Sequence, residues 1–328
     1  MRTNVLGRTG LKVSHLGLGG LAFRKGVDTS IALIRRATEL GITYVDTAAG
    51  YGNSEECLGP ALDALKPKIV LSTKFGARSG ETTFAPQDKA ALIRCVETSL
   101  RFLKRDYIDI LMIHEPDRPA QYAWWTDPVN AVGPVMEVLD QFKKQGKIGF
   151  TGLGGTTAYE IAALMRTGKF DVVLTAFNYS LLWREAEHAV LPAAREQNMG
   201  VVVGSPLQQG ALARRFDSEV DHGAPWLSPP RRAQYKALYK YLDEINLPLA
   251  EAGVRFVASN PGVHCVLMGA ATPQEIELNV AAIEKGPLPA DVLKRLAEIA
   301  AMVPFRPFEE PFGLPFGGSR RGPGMAGR

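Results

Sequence analysis

Short apolar runs alternate with longer amphipathic segments along most of the chain. The short runs are typical of strands buried on both faces, and the longer segments are typical of helices that bury one face. The series begins with "SHLGLG" at residues 14–19 and continues with "ITYVD", "KIVLSTK", "YIDILMIH", "KIGFTGLG", "FDVVLTAF", "MGVVVGSP" and "HCVLMGA". Eight strands separated by helices predict an α/β fold in which a parallel sheet closes into a (β/α)8 TIM barrel, rather than an open doubly wound sheet.

The same pattern predicts how the chain is organised. No linker interrupts the alternation, so we predict a single barrel domain over residues 1–302, with a short N-terminal β-hairpin at residues 1–9 on the barrel floor. Long irregular segments at 115–131 and 208–230 follow strand ends, where barrel enzymes build their sites. The segment 303–328 is rich in Pro, Gly and Phe, and we predict that it lies over the barrel mouth or docks on a neighbouring subunit of a homo-oligomer.

Composition and charge exclude several classes of protein. Of the 328 residues, 46% are hydrophobic and 22% are charged, which is ordinary globular composition. No basic segment is interleaved with aromatic residues, so we expect no nucleic-acid partner. We also expect no signal peptide and no membrane span, because no apolar run is long enough. Cys57, Cys95 and Cys265 fit no ligand spacing, so we expect a reduced cytoplasmic protein without a metal.

Ionisable residues close three consecutive predicted strands. Asp46 ends "ITYVD", Lys74 ends "VLSTK" and His114 ends "ILMIH", while Tyr51 lies in the loop after Asp46. Because parallel strands end at the same rim of a barrel, we expect these four side chains to share one site. Taken singly, each has a structural alternative: a helix cap, a solvated ammonium or a satisfied buried histidine. Their joint placement favours catalysis.

The four residue types form a coherent acid–base system. A phenol ordinarily has a pKa of about 10, and we predict that the Lys74 ammonium lowers the pKa of Tyr51. Asp46 can serve as the counter-ion of Lys74, and His114 can orient a carbonyl or alcohol oxygen of the substrate. The site contains no good covalent nucleophile, and one histidine with one aspartate is a thin ligand set for a metal. The pattern therefore predicts proton transfer to or from an oxygen substituent.

Three segments of the sequence resemble a known protein family. "DTAAGYGNSE", "LSTKFG" and "DYIDILMIHEPD", in this order on eight strand–helix units, resemble the aldo-keto reductase superfamily. The similarity extends from "LGRTGLKVSHLGLGG" to about residue 285. It implies an NAD(P)-dependent carbonyl reductase or alcohol dehydrogenase, in which Tyr51 is the general acid/base and His114 orients the substrate. It also implies a cofactor bound without a Rossmann fold, so "GLGLGG" and "GLGG" are turns rather than dinucleotide fingerprints.

The resemblance further implies where the cofactor binds. "GSPLQQGAL" at 204–212 matches the loop around the pyrophosphate, and "GAATPQEIELN" at 269–279 matches the segment around the adenosine, where a helix N terminus faces a phosphate. The implied cofactor contacts are Gly20, Leu21, Asp46, Gly154, Gly155, Ser205, Pro206, Leu207, Gln209, Gly210, Leu212, Gly269, Ala271, Glu275 and Asn279.

Glu275 bears on the choice between NAD and NADP. It stands where NADP-preferring members often place an arginine, and residues 269–279 contain no basic side chain. A carboxylate repels a phosphate and can accept hydrogen bonds from ribose hydroxyls. We therefore predict a preference for NAD(H), with Lys285 or an arginine from another loop as the alternative source of positive charge.

The chain also departs from the family pattern around the nicotinamide. Gly154 and Gly155 replace a Ser-Asn pair, Ala176 replaces a glutamine and Gly204 replaces an aromatic residue. These changes loosely resemble members that oxidise sugars. Two tryptophans in "PDRPAQYAWWTDP" have two interpretations: they form a stacking platform for a sugar, or a hydrophobic clasp that holds the loop down. The two residues are Trp124 and Trp125.

These observations leave two classes of function open. We expect an oxidoreductase acting on a sugar or a related hydroxy-carbonyl compound. The alternative is a regulatory, cofactor-sensing barrel with weak turnover, like the potassium-channel β subunits, and the intact set of four site residues favours the enzyme. A lyase or isomerase would not need the pyrophosphate loop at 204–212.

Overall fold

The part of the chain that the structure describes forms ten strands. The computed structural model describes residues 1–78, 81, 84–118, 122–222 and 227–304. The strands are β1 (Thr3–Val5), β2 (Lys12–Ser14), β3 (Leu16–Gly19), β4 (Tyr44–Asp46), β5 (Val70–Phe75), β6 (Ile108–His114), β7 (Ile148–Gly155), β8 (Val172–Ala176), β9 (Gly200–Gly204) and β10 (Cys265–Met268). Strands β3 to β10 pair in parallel in chain order, and β10 pairs with β3 to close the ring. The predicted (β/α)8 barrel is confirmed.

Helices surround this ring. They are α1 (Val27–Glu39), α2 (Ser54–Leu65), α3 (Lys89–Leu103), α4 (Pro134–Lys144), α5 (Ala158–Arg166), α6 (Glu185–His188), α7 (Val190–Gln197), α8 (Asp217–His222), α9 (Pro229–Glu244), α10 (Leu249–Ala258), α11 (Pro273–Glu284) and α12 (Ala290–Ala301). The long helical region predicted at 231–259 is divided into α9 and α10. Pro248 stands between them, and a proline inside a helix removes a backbone donor and clashes with the preceding turn.

The N-terminal hairpin closes the barrel floor, and it is longer than predicted. Strands β1 and β2 pair antiparallel, with Thr3 opposite Ser14, so the hairpin continues well beyond residue 9. The turn between them contains Gly7, whose φ of 51° is left-handed, and a Cβ there would lie 2.3 Å from the backbone nitrogen of Gly200. Only glycine fits this close approach, which brings Arg8 under the barrel.

Two apolar layers hold the barrel together. Inside the ring, Tyr44, Met112, Cys265 and their buried neighbours fill the space, and Leu6 from the hairpin closes it from below. Between ring and helices, a second and larger set of buried side chains forms the outer core. These layers leave the carboxyl ends of the strands as the rim on which polar side chains collect.

Candidate active site

Three neighbouring strands bring the predicted charged residues together. Asp46 ends β4, and Lys74 on β5 donates a hydrogen bond of 2.5 Å from Nζ to Asp46 Oδ2. Lys74 also donates to the carbonyl oxygen of Thr47 at 2.7 Å, and Ser72 Oγ donates to Asp46 Oδ1 at 2.8 Å. The Lys74 side chain is only 1% exposed, so its ammonium is satisfied by these protein oxygens rather than by bulk water. Asp46 and Lys74 therefore form a buried ion pair whose charged atoms are held in place by these hydrogen bonds.

Tyr51 lies above this pair. Its ring centroid is 4.9 Å from Lys74 Nζ and 5.5 Å from the imidazole of His114, with the two rings nearly perpendicular. The turn that carries Tyr51 is anchored from below, because Ser54 Oγ at the start of α2 donates to the carbonyl oxygen of Gly20 at 2.7 Å. The structure therefore assembles the four predicted residues at one point of the rim.

Lys74 lowers the pKa of Tyr51 as predicted, but the net shift of this pKa is upward. Burial raises the pKa of the phenol, Lys74 opposes this rise, and the charges of Asp46 and Glu115 add to it. The ammonium therefore moderates the pKa of Tyr51 but does not bring it below its ordinary value. For Lys74, burial lowers the pKa, but Asp46 and Tyr51 outweigh burial and raise it. At neutral pH the site thus holds a protonated phenol beside an ammonium.

His114 is a neutral imidazole at neutral pH. Burial, and after it the charge of Lys74, lowers the pKa of His114 to about 3. A neutral imidazole carries one N–H donor. This donor can orient a substrate oxygen by a hydrogen bond, and the imidazole does not compete with Tyr51 as the acid that gives up a proton. The backbone at this position is fixed, because Trp124 Nε1 donates a hydrogen bond of 3.0 Å to the carbonyl oxygen of His114.

The two tryptophans lie away from the reaction centre. Trp124 is fully buried and packs against Phe75 and Phe84, so it presents no ring face to a substrate. Trp125 Nε1 donates to the carbonyl oxygen of Pro116 at 2.9 Å, and its ring is half-buried. Neither residue lines the cavities described next. These positions favour the interpretation that the two tryptophans hold the loop down as a hydrophobic clasp. They do not support the alternative of a stacking platform for a sugar.

Two adjoining cavities open at the rim. The larger has a volume of about 340 Å³ and the smaller about 140 Å³. Both are lined by Leu21, Tyr51, Leu174, Ala176, Ser205 and Gln209. The larger is also lined by the predicted cofactor contacts Gly20, Asp46, Pro206, Leu207, Gly210, Gly269 and Asn279, and the smaller by Lys74, His114, Gly154 and Gly155. The predicted contacts Leu212, Ala271 and Glu275 line neither cavity.

The loop after β9 has the backbone of an anion site. Ser205, Gln208, Gln209 and Gly210 all have positive φ, between 50° and 103°. Side chains rarely accept this conformation, and where it recurs in a loop the backbone N–H groups can form a concave anion-binding nest. This loop therefore suits an anionic group such as the pyrophosphate of a dinucleotide, and Leu212 supports the loop from the core as a fully buried residue.

Glu275 has a definite place at the N terminus of α11. Its Oε2 accepts a hydrogen bond of 2.6 Å from the backbone nitrogen of Ala271, and Thr272 Oγ1 accepts one of 3.3 Å from the backbone nitrogen of Glu275. Carboxylates are favourable at the positive end of a helix. An internal anion thus already occupies the position where the helix would otherwise attract a phosphate. Asn279, one turn later, lines the larger cavity.

Three buried acidic residues near the site were not singled out by the sequence analysis: Glu55, Glu115 and Asp117. Asp117 Oδ2 accepts hydrogen bonds from the backbone nitrogens of Thr156 and Thr157, at 2.8 Å and 2.6 Å. A Cβ at Gly155 would lie 2.5 Å from Asp117 Oδ1 and 2.6 Å from Ile161 Cδ1, so a larger residue there would require these side chains to shift. The sequence signal was present in "HEPD", where Asp117 follows His114 by three residues.

Glu55 is another of these acidic residues. It is 1% exposed, accepts a hydrogen bond of 2.6 Å from Thr73 Oγ1, and contacts Arg78 Nη2 at 2.7 Å. Ser99 Oγ donates to the same carboxylate at 3.1 Å. Thr73 immediately precedes Lys74 on β5, and Glu55 lies on α2. The hydrogen bond between Thr73 and Glu55 therefore links α2, the helix after Tyr51, to the strand that carries Lys74.

Comparison with known proteins identifies the family. The model of the Aldo/keto reductase family matches residues 15–301. The chain belongs to the aldo/keto reductase family. Members are oxidoreductases that use NAD(P)(H), and the resemblance predicted from the sequence is confirmed.

Individual relatives carry different names. The chain is 29% identical over 288 residues to L-galactose dehydrogenase of Arabidopsis thaliana, with 85% of this chain and 86% of the relative covered. It is 28% identical to a putative voltage-gated potassium channel subunit beta of Schizosaccharomyces pombe, with 91% and 93% covered. Among solved structures, the holo form of an aldo-keto reductase from Bacillus halodurans matches with a TM-score of 0.74 and 27% identity, covering 91% of this chain and 96% of that one. Among the residues described here, no helix is both long and apolar enough to cross a membrane.

Proposed function

We propose that this protein is an NAD(P)-dependent oxidoreductase that interconverts a carbonyl and an alcohol, with Tyr51 as its general acid/base. The observation that carries the proposal is the arrangement of Lys74 Nζ, which contacts Asp46 at 2.5 Å and lies 4.9 Å from the Tyr51 ring at the edge of a cavity. A bound nicotinamide would supply the hydride in reduction and accept it in oxidation. The protein's own residues handle the proton.

Tyr51 moves that proton. In reduction, the phenol gives its proton to the carbonyl oxygen as the carbon gains a hydride, and in oxidation the phenolate takes the proton back. Because the pKa of Tyr51 is raised, chiefly by burial, the phenol is protonated at neutral pH and ready to donate. Lys74 stabilises the phenolate that remains. The neutral imidazole of His114 donates its N–H to the same oxygen and so fixes the substrate's orientation.

The substrate we propose is a sugar or a related hydroxy-carbonyl compound. L-galactose dehydrogenase is among the relatives, at 29% identity. Small residues at the ends of β7, β8 and β9, including Gly154, Ala176 and Gly204, leave room beside the reaction centre for a substituted substrate. Trp124 and Trp125 line neither cavity and have no part in this substrate site.

NAD(H) is the cofactor we propose. Glu275 places a carboxylate at the N terminus of α11, where it repels the extra phosphate of NADP. Lys285, the alternative source of positive charge, contacts Glu251 at 2.6 Å, so its ammonium is already paired. We expect Glu275→Arg to shift the ratio of kcat/KM toward NADP by about 1–3 kcal/mol. Glu284→Arg, the same change at the other end of α11, is the control and should leave the ratio unchanged.

A scan of hydride transfer tests the proposal as a whole. Full-length protein is mixed with a panel of aldoses and small aldehydes, each with NAD(H) and with NADP(H), and the absorbance of the reduced cofactor is followed. Turnover that favours hydroxylated substrates supports the proposal. Tight cofactor binding with no turnover on any substrate would favour the alternative, a cofactor-sensing regulatory barrel, which the potassium-channel relative makes worth testing.

We also propose a role for the C-terminal segment. Residues 305–328 lie outside the described residues, and we propose that this tail contributes to the barrel mouth or to a subunit contact, while residues 1–302 act as one domain. Truncation after Pro304 should then raise KM or change the oligomer mass in solution. If neither quantity changes, the tail serves neither purpose.

A further inference from the structure

Leu174 forms an apolar surface shared by the two cavities. It lies on β8, is 6% exposed, and lines both the larger and the smaller cavity. Its side chain faces into the barrel, where it belongs to the buried cluster that includes Met112 and Leu267. Its Cδ2 methyl lies 3.2 Å from the position that a Cβ on Gly204 would take. Because Gly204 lines the larger cavity, the side chain of Leu174, and not only its backbone, reaches the cavity wall.

Small residues surround Leu174 on the rim side. Gly154 is its partner in register on β7, and Ala176 and Gly204 pair with each other nearer to the ends of β8 and β9. A methyl group is the largest of these side chains, so Leu174 stays open to both cavities although it lies below the rim. Lys74 is on β5, on the opposite side of the closed ring from β9. The rim therefore has a charged half, which handles the proton, and an apolar half with free space.

The proposed chemistry brings the nicotinamide ring to this apolar half. Hydride transfer requires the donor and acceptor carbons to approach to about 3–3.5 Å. The oxygen on the acceptor carbon must at the same time lie within hydrogen-bond reach of Tyr51. Tyr51 lines both cavities, as Leu174 does, so the ring belongs at the junction of the two. The loop after β9, which suits the pyrophosphate, lines the larger cavity, and the smaller cavity with His114 is left to the substrate.

We propose that the side chain of Leu174 is the surface on which the nicotinamide ring lies, and that Gly204, by carrying no side chain, leaves the space for that ring. This inference rests on the proposed function. Leu174→Ala removes the branched end of the side chain and with it the contact with the ring. We expect the loss to weaken cofactor binding about tenfold, or by about 1.4 kcal/mol, which is comparable to the burial of two methylene groups.

Equilibrium binding of two ligands tests this without any substrate. ADP-ribose carries every part of NADH except the nicotinamide, so it reports on the rest of the cofactor site alone. Dissociation constants for NADH and for ADP-ribose are measured by isothermal titration calorimetry with the full-length protein. We expect Leu174→Ala to weaken NADH about tenfold and to leave ADP-ribose within about twofold of wild type. Leu174→Met conserves volume and should keep NADH binding within about threefold.

Val202→Ala is the matched control. Val202 pairs with Leu174 in register on β9 and lies in the same buried cluster, but it lines neither cavity. Its truncation should destabilise the barrel and leave both dissociation constants within about twofold of wild type. A Val202→Ala protein that loses NADH binding as selectively as Leu174→Ala would show that a general loosening of the barrel interior causes the effect, and would overturn the inference.

Gly204→Val keeps the test decisive if Leu174→Ala does not fold. The added side chain stands over Leu174, whose flexible end can shift to admit it, and fills the space assigned to the ring. NADH should again weaken about tenfold while ADP-ribose is retained. The inference fails if these variants weaken both ligands equally, or weaken neither. A wild-type protein that binds no nicotinamide dinucleotide would instead overturn the proposed function.

Discussion

Replacing Lys74 by methionine should destabilise the protein strongly. The change keeps the length of the side chain but removes two hydrogen bonds from its ammonium, to Asp46 at 2.5 Å and to the carbonyl oxygen of Thr47 at 2.7 Å. Hydrogen bonds to charged groups contribute about 1.5–3 kcal/mol each. Breaking a buried ion pair by removing one partner costs about 3–5 kcal/mol, because the remaining charge is left without compensation.

The double variant Lys74→Met/Asp46→Asn provides the matched comparison. It removes both charges, so we expect it to recover at least half of the stability lost by Lys74→Met. Urea unfolding followed by tryptophan fluorescence gives the midpoints. Wild type should unfold at the highest urea concentration, the double variant next and Lys74→Met at the lowest. A double variant no more stable than Lys74→Met would refute the idea that an unpaired Asp46 charge causes the loss.

The same variant has a predictable pH dependence. Burial raises the pKa of Asp46, and without Lys74 the hydrogen bond from Ser72 is left to oppose that rise. A carboxyl whose pKa is raised on folding contributes most stability below its unfolded pKa and loses it as the pH rises through the folded pKa. Lys74→Met should therefore be further below wild type at pH 7 than at pH 5. An equal difference at both values would contradict this account.

Two other predictions concern stability. Arg8→Ala should cost about 1–3 kcal/mol in urea unfolding, because Arg8 bonds Asp171 and three backbone carbonyls beneath the barrel, whereas Lys12→Ala on the exposed face of the same hairpin should cost little. Burial lowers the pKa of His15, His114 and His264, so below about pH 6.5 the unfolded chain binds protons that the folded protein does not. The thermal midpoint should therefore fall from about pH 7 to about pH 5, and a midpoint that rises would contradict these shifts.

The sequence predicted the features that depend on periodicity and strand ends. Alternating apolar runs were sufficient to predict the closed barrel, because each run must be buried on both faces. Asp46, Lys74 and His114 were predicted to meet because parallel strands end at one rim, and the structure shows these side chains adjoining. Local order along the chain was enough for both conclusions.

Features that depend on tertiary burial were not predictable in the same way. The direction of the Tyr51 pKa depends on how completely the phenol is buried, and burial outweighs Lys74. The sequence around Trp124 is compatible both with a ring that stacks on a sugar and with a ring that packs under a loop. Its buried position in the structure distinguishes these two interpretations. The contact of Asp117 with Thr156 joins residues 39 positions apart, which no local pattern reveals.

The central claim is that Tyr51 carries the proton. Tyr51→Phe keeps the ring and removes only the hydroxyl, so it isolates this step from packing. Single-turnover hydride transfer and the cofactor dissociation constant should be measured on the same preparation, with wild type alongside. The account predicts an unchanged dissociation constant within about twofold and a rate lower by at least about 10²-fold, the usual contribution of general acid/base catalysis. A Tyr51→Phe protein that binds cofactor normally and transfers hydride at nearly the wild-type rate would contradict it.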